Sequence, residues 1–298
     1  MTAQVDLDFA RYVAIRRGMA AQRARDGSAY AFSSDRKVTQ ALSSTRPVLL
    51  ATQATVRLWK TRARAEILRS AVKVTDQQFP RLHDIGARCA EILRIPSPTL
   101  HVSRSLGEIG ACTLGTDEEA LVFVHPALVD RLSDQELSFV VGHELGHVQN
   151  NHVVFATALH YLTAGAAFYV RWIVQPALLA LRSWSRRAEI TCDRAGLLCC
   201  GNLDVALRAL GMMTLPPDRL LKDIDRVDDA RQEQSEARKG LGRVGEIFHS
   251  HPSLAVRTEA LKLFARGAFF QRFVGLDPQG ALGPDDCDAQ VASMVSVF

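Results

Sequence analysis

Ser133-Asp-Gln-Glu-Leu-Ser-Phe-Val-Val-Gly-His-Glu-Leu-Gly-His-Val-Gln-Asn-Asn-His152 is the stretch on which the reading of this 298-residue chain turns. Ser133 followed by Glu136 fits a capping box, in which each side chain satisfies a backbone N–H of the other residue, so a helix is predicted to begin here. Leu137, Val141, Leu145 and Val148 then fall on one apolar stripe. His143 and His147 are a helical turn apart, and their imidazoles leave the same face. That spacing suits two nitrogen ligands on one zinc ion. Glu144 points to a neighbouring part of the surface, where a carboxylate can reach a water at the metal without binding the ion itself. Gly142 and Gly146 each cost a helix interior about 1 kcal/mol relative to alanine. A close approach of backbone or substrate is expected at both.

A catalytic zinc takes three protein ligands and leaves one position for water. Downstream, Ser185-Arg-Arg-Ala-Glu-Ile-Thr-Cys-Asp-Arg-Ala-Gly196 offers Glu189 and Asp193, again a turn apart on a predicted helix. Alone, such a pair beside Arg186, Arg187 and Arg194 reads as a solvated face. Placed after H-E-x-x-H, Glu189 becomes the favoured third ligand, and Asp193 can accept the free ring N–H of a ligand histidine and fix its tautomer.

Outward from this centre the pattern is mostly helical. Leu82 to Leu93 reads as a helix, ended by Pro96-Ser97-Pro98. Thr99–Ser103, Ala111–Leu114 and Ala120–Val124 are short, β-prone and separated by turn residues, so three strands of a small sheet are expected. Pro126 to about Val274 reads as helix and loop. The fold class expected is α+β, mostly helical, with a small β-sheet preceding the H-E-x-x-H helix. Three regions are expected: a basic helical N-terminal segment over 1–75, a domain over 76–275 that carries the candidate zinc site, and a flexible Gly-, Pro- and Asp-rich tail over 276–298.

Within the first region, residues 1 to about 45 read as loosely packed helices. Val56, Trp59, Ala63, Ile67 and Leu68 then recur at helical spacing among Arg57, Lys60, Arg62, Arg64 and Arg69, a basic amphipathic helix over Leu49–Val74. The reading favoured for it is a solvated face over the core, with a peripheral membrane contact left open.

Apolar residues make up 47% of the chain and charged residues 23%, an ordinary balance for a folded protein, which excludes wholesale disorder. The net charge of +4 is uneven: residues 1–75 hold 14 Lys/Arg against 5 Asp/Glu, and the rest 22 against 27. A basic front on an acidic body points to an anionic partner for the front alone. Nucleic acid is not expected, because aromatic stacking residues are few there and no recognition motif appears. The first residues show no secretory pattern. The six cysteines form no C-x-x-C pair and are expected as reduced thiols, which indicates a cytoplasmic location, with membrane association open.

Val153 to Val170 approaches membrane-spanning length. A single crossing would put His147 and Glu189 on opposite sides of a layer about 30 Å thick, and two crossings need about 40 residues where Val153–Arg182 supplies 30. A buried helical hairpin is therefore favoured over one that dips into a membrane face.

His-Glu-Leu-Gly-His (143–147), Ala-Glu-Ile-Thr-Cys-Asp-Arg-Ala-Gly (188–196) and His-Pro-Ser-Leu-Ala-Val-Arg (251–257) together resemble the zinc metallopeptidase family of HtpX and the CAAX prenyl proteases, over roughly residues 80–265. The resemblance implies a zincin-like zinc metallopeptidase core for the domain over 76–275, a gluzincin site with one Zn2+ per chain on His143, His147 and Glu189, Asp193 supporting them, and endopeptidase activity on proteins or peptides with Glu144 as general base. It implies that Gly110–Gly115 pairs with extended substrate, although Gly110-Ala111-Cys112 departs from the family's Asn-Ala-aromatic start. It places His251 beside the metal, where it can block the open position; apart from the resemblance, His251, or Tyr161 if it faces the cleft, is the candidate to stabilise the oxyanion. Arg257 is expected to be structural, or to partner a nearby carboxylate, rather than to be catalytic. The alternative is a protein of the same fold that binds zinc without turnover, and the intact Glu144 argues against it.

Overall fold

A computed structural model describes residues 27, 29–104, 110–116, 119–165, 171–214 and 250–295; the expectation for residues 1–26 lies outside these. In chain order the helices are α1 Ser33–Leu42, α2 Arg46–Leu58, a π-helical turn Trp59–Ala63, α3 Arg64–Arg69, α4 Pro80–Ile92, α5 Pro126–Arg131, α6 Asp134–Gln149, α7 Val153–Gly165, α8 Arg171–Cys200, α9 Leu203–Thr214, α10 Leu254–Ala265, α11 Ala268–Phe273 and α12 Pro284–Val295. The strands are β1 Ala71–Lys73, β2 Thr99–Ser103, β3 Ala111–Gly115 and β4 Ala120–Val124. The chain is α+β and mostly helical, as its patterning predicts.

The sheet has four strands rather than the expected three, in the order β1-β2-β4-β3. β2 and β4 run parallel, and β1 and β3 pair antiparallel at the two edges. The extra strand Ala71–Lys73 lies where a helix was expected to continue. Three residues carry no periodicity of their own, and pairing with His101–Ser103 decides their conformation.

α6 begins as its capping box dictates: the Ser133 hydroxyl accepts from the Glu136 N–H, and the Glu136 carboxylate accepts from the Ser133 N–H at 2.9 Å. It is buried on every side from Leu137 to Gln149, which makes it the central helix and not a surface helix with one apolar stripe. Its main neighbour is α8. The glycines explain how close the two helices come. A Cβ at Gly142 would lie 2.6 Å from Cys199 Cβ, and one at Gly146 would lie 2.9 Å from Ala195 Cβ. The close approach expected at both is that of a second backbone.

α7 and α8 pack together, with Ala158, Leu159, Ala177, Leu178 and Leu181 buried in a cluster shared with Leu42 and Val48. No described helix is long and apolar enough to cross a membrane. Along α2 and the π turn, Trp59 and Ala63 are buried against Leu114, Leu121 and Phe123, while Arg57, Lys60, Arg62 and Arg64 are exposed.

Two expectations of looseness differ from the structure. Tyr30 and Phe32 are 4% and 0% exposed, in the main core. The segment expected as a flexible tail carries α12, whose Cys287, Val291 and Val295 are buried against the same core. In both places a few apolar residues, Tyr30 and Phe32 in the turn ahead of α1 and Cys287, Val291 and Val295 one turn apart on α12, find partners far away in sequence, which composition does not reveal. All six cysteines are free thiols.

Candidate metal centre

His143 and His147 project from α6 toward α8, where Glu189 meets them. His143 Nε2 lies 3.6 Å from Glu189 Oε2, and His147 Nε2 lies 3.6 Å from Glu189 Oε1. All three groups are buried, and their ligand atoms lie within 4.8 Å of one another. Metal–ligand bonds of about 2.0–2.2 Å in tetrahedral array separate their ligand atoms by roughly 3.3–3.6 Å, so the three donors fit one ion. The chemistry of the set, two imidazoles and a carboxylate, suits zinc.

Each donor is held from behind. His143 Nδ1 lies 3.0 Å from Asp193 Oδ1. A carboxylate only accepts, so the proton sits on Nδ1 and the lone pair at Nε2 faces Glu189. Arg257 on α10 donates from Nε to Asp193 Oδ2 at 2.8 Å and from a terminal nitrogen to Oδ1 at 2.6 Å. Its other terminal nitrogen lies 3.2 Å from Glu189 Oε2. Burial alone would raise the Glu189 carboxyl. The positive groups around it, His251 and Arg257 foremost, hold it well below the usual carboxylate range, so it stays ionised. For Asp193 too, burial is overcome by Arg257, and its carboxyl is depressed.

Glu144 is buried beside the donors, and its Oε2 accepts a 2.6 Å hydrogen bond from the Thr113 hydroxyl. Thr113 belongs to β3, and Gly110 to Leu114 line the same cleft of about 760 Å³ as His143, Glu144, His147 and Glu189. β3 is an edge strand, with β4 on one side and no strand on the other among the described residues.

The structure thus brings together His143, Glu144, His147, Glu189 and Asp193. His251 stands at the rim with its side chain 62% exposed and its Nε2 3.6 Å from Glu189 Oε1. Ser253 occupies the N-cap of α10, although its hydroxyl makes no cap hydrogen bond. Tyr161 does not line the cleft; it packs in the cluster with Trp59 and Leu114, and lines a separate groove with Leu50 and Leu58. Three residues in or next to the centre carry no sequence signal of their own: Thr113, His152, whose Nδ1 lies 3.3 Å from His147 Nδ1, and Asp35, whose Oδ2 lies 3.1 Å from His152 Nε2. Thr113 looks like any β-branched strand residue, His152 looks like a helix-end histidine, and Asp35 lies in a segment read as loosely packed.

The profile of peptidase family M48 matches residues 76–265. The chain is 33% identical over 148 residues to the plastoglobule-localized metallopeptidase 48, chloroplastic, of Arabidopsis thaliana, covering 49% of this chain and 43% of that protein. It is 26% identical over 222 residues to the protease HtpX homolog 2 of Methanosarcina mazei, covering 63% and 74%. It is 27% identical over 228 residues to the protease HtpX homolog 1 of Streptomyces coelicolor, covering 63% and 72%. The match thus spans less than half the length of the Arabidopsis relative and nearly three quarters of the two homologs. No solved structure matches the chain. With its matched segment carrying both histidines of the H-E-x-x-H motif and the glutamate that meets them, the chain belongs to peptidase family M48.

Proposed function

We propose that this protein is a zinc-dependent endopeptidase, with one Zn2+ per chain on His143, His147 and Glu189 and with Glu144 as general base. The observation that carries the reading is the convergence of the three donors in a cleft that also holds a buried, oriented carboxylate. When bound, zinc would lower the pKa of water toward about 7 and polarise a peptide carbonyl.

The chain's own residues supply the rest. Glu144 accepts the proton of the attacking water and passes it to the leaving amine, a role that contributes about 10²–10⁴-fold. The Thr113 hydroxyl holds Glu144 Oε2 and leaves the other oxygen for that transfer. The unpaired side of β3 offers main-chain hydrogen bonds to an extended peptide, the strand-addition mode of recognition. Because Thr113 sits in the same strand, the surface that would align the substrate also orients the base. His251 stands close enough to the donors to stabilise developing charge on the carbonyl oxygen or to cover the open position.

Glu144→Gln keeps the shape of the base and removes its proton-accepting power. Zinc analysis and casein cleavage are the measurements. The expected result is about one zinc per chain in both proteins, with cleavage reduced about 10²–10⁴-fold in the variant. Cleavage at the wild-type rate by the variant removes Glu144 from its role. Zinc uptake without cleavage by the wild type favours a non-catalytic zinc protein of the same fold.

A further inference from the structure

His143 and His147 are supported by different partners. Asp193 holds His143. His147 turns its Nε2 to Glu189 and its Nδ1 to another histidine, His152, whose Nδ1 lies 3.3 Å away. Two facing ring nitrogens bond well only if one carries a proton and the other a lone pair. A lone pair at His147 Nε2 requires its proton on Nδ1, so His152 must accept at Nδ1 and carry its own proton on Nε2. That Nε2 lies 3.1 Å from Oδ2 of Asp35. Asp35 is 0% exposed and only accepts.

We infer that Asp35 and His152 are positioning residues for the metal centre: the Asp35 carboxylate fixes the tautomer of His152, and His152 fixes that of His147 so that its Nε2 lone pair faces the ion. This rests on the proposal that zinc binds His143, His147 and Glu189.

The carboxylate is itself held in place. Thr191, two residues beyond Glu189 on α8, donates to Asp35 Oδ2 at 2.6 Å, and Thr39 donates to Oδ1 at 3.1 Å. Trp184 packs its indole edge-on to the His152 ring and donates from Nε1 to Thr39 Oγ1 at 2.8 Å. The segment is pinned further by the Ser33 N–H, which donates to Asp288 Oδ2 at 2.8 Å, while Asp288 Oδ1 accepts from Arg194 of α8 at 2.8 Å. Asp35 and Asp288 both lie outside residues 76–265, so this support is added to the family segment from either end of the chain.

His147, His152 and Cys192 also come close enough to one another to hold an ion. Such an ion would have to use His147 through Nδ1, the nitrogen turned away from Glu189, or take Nε2 from the first site. Cys192 Sγ, 3.7 Å from His152 Nδ1, is instead a weak second donor to that nitrogen.

The test measures zinc dissociation constants by chelator competition on the full chain, with the visible spectrum of the cobalt(II)-loaded protein as a second readout. Asp35→Asn is nearly isosteric but can present a donor to His152. It is expected to weaken zinc about 10–100-fold and to shift the cobalt bands, as losses of such supporting groups do. His152→Gln, whose amide oxygen can still accept from His147 Nδ1, is expected to bind more tightly than His152→Phe, which cannot accept. A merely structural role would lower the stability of the metal-free protein and leave both the affinity and the cobalt bands of the folded fraction unchanged. Wild-type affinity and spectrum in Asp35→Asn, with His152→Gln and His152→Phe alike, overturn the inference. So does a second equivalent of zinc that alone disappears with His152. Wild-type protein that takes up no zinc removes the proposed function as well, which separates the two failures.

Discussion

Arg257 and Arg64 each grip a carboxylate with two nitrogens, at nearly the same distances. Arg257 donates to Asp193 at 2.8 and 2.6 Å, and Arg64 donates to Glu119 at 2.7 and 2.7 Å. The side chains of the first pair are 3% and 1% exposed, and those of the second 45% and 40%. One pair lies behind the proposed metal donors; the other ties the basic helix α3 to the turn before β4. Equal geometry therefore conceals unequal energetics. In water the attraction between charges is screened, and the long side chains lose freedom to meet; in the interior each charge depends on its partner to offset desolvation.

The largest effect is expected from Arg257→Leu. It leaves the Asp193 and Glu189 carboxylates buried without their cation, and stability should fall by about 3–5 kcal/mol in denaturant unfolding of the metal-free protein. The depressed carboxyls of Asp193 and Glu189 give the comparison a pH dependence with a definite sign. Groups whose carboxyls are lowered on folding add stability that is present above their unfolded values near pH 4 and is lost as the pH falls through the folded ones. Acidification should therefore destabilise the wild type more than Arg257→Leu, in which the chief cation beside Asp193 and one of the two beside Glu189 is gone. An equal loss in the two proteins would mean that this pair contributes no more than the surface one.

How much of this was legible in the sequence follows the same division. The capping box, the H-E-x-x-H spacing and the Glu189–Asp193 pair are local signals, and each needs only a helix to become geometry. The structure starts α6 at the capping box and brings the H-E-x-x-H residues and the Glu189–Asp193 pair together further along it. What was not legible depends on contacts between distant segments. Asp35 and His152 carry no pattern of their own, and Thr113 is one of several β-branched residues in the strands. β1 is too short to show a period, and α12 was obscured by the Gly-Pro-Asp composition that surrounds it. Gly142 and Gly146 stand between the two cases. The sequence shows that something must approach the helix there, and only the fold shows that it is the backbone of α8.

Those glycines supply the next effect in size. Gly142→Ala puts a methyl 2.6 Å from Cys199 Cβ and 3.1 Å from the backbone of Gly196. The overpacking cost of about 1–3 kcal/mol should outweigh the gain of up to about 1 kcal/mol in helix propensity, and the variant should unfold at lower denaturant. Gly110→Ala is the control at the other side of the cleft, since a Cβ there meets nothing within 4 Å. Its stability should stay within about 0.5 kcal/mol of wild type. If both alanines were neutral, close packing of α6 on α8 would not be what the centre depends on.

The smallest effect closes the comparison. Arg64→Ala breaks a bidentate pair as short as the one behind the metal, yet the loss should be under about 1 kcal/mol and should shrink further in high salt, because both partners are half in water. Zinc affinity should not change, since neither Arg64 nor Glu119 touches a donor. A loss approaching that of Arg257→Leu would show that the basic helix is held to the sheet by this pair rather than by Trp59 and Ala63 packed on Leu114, Leu121 and Phe123. The energetic difference between the two arginines would then lie in the elements they join, and not in the water around them.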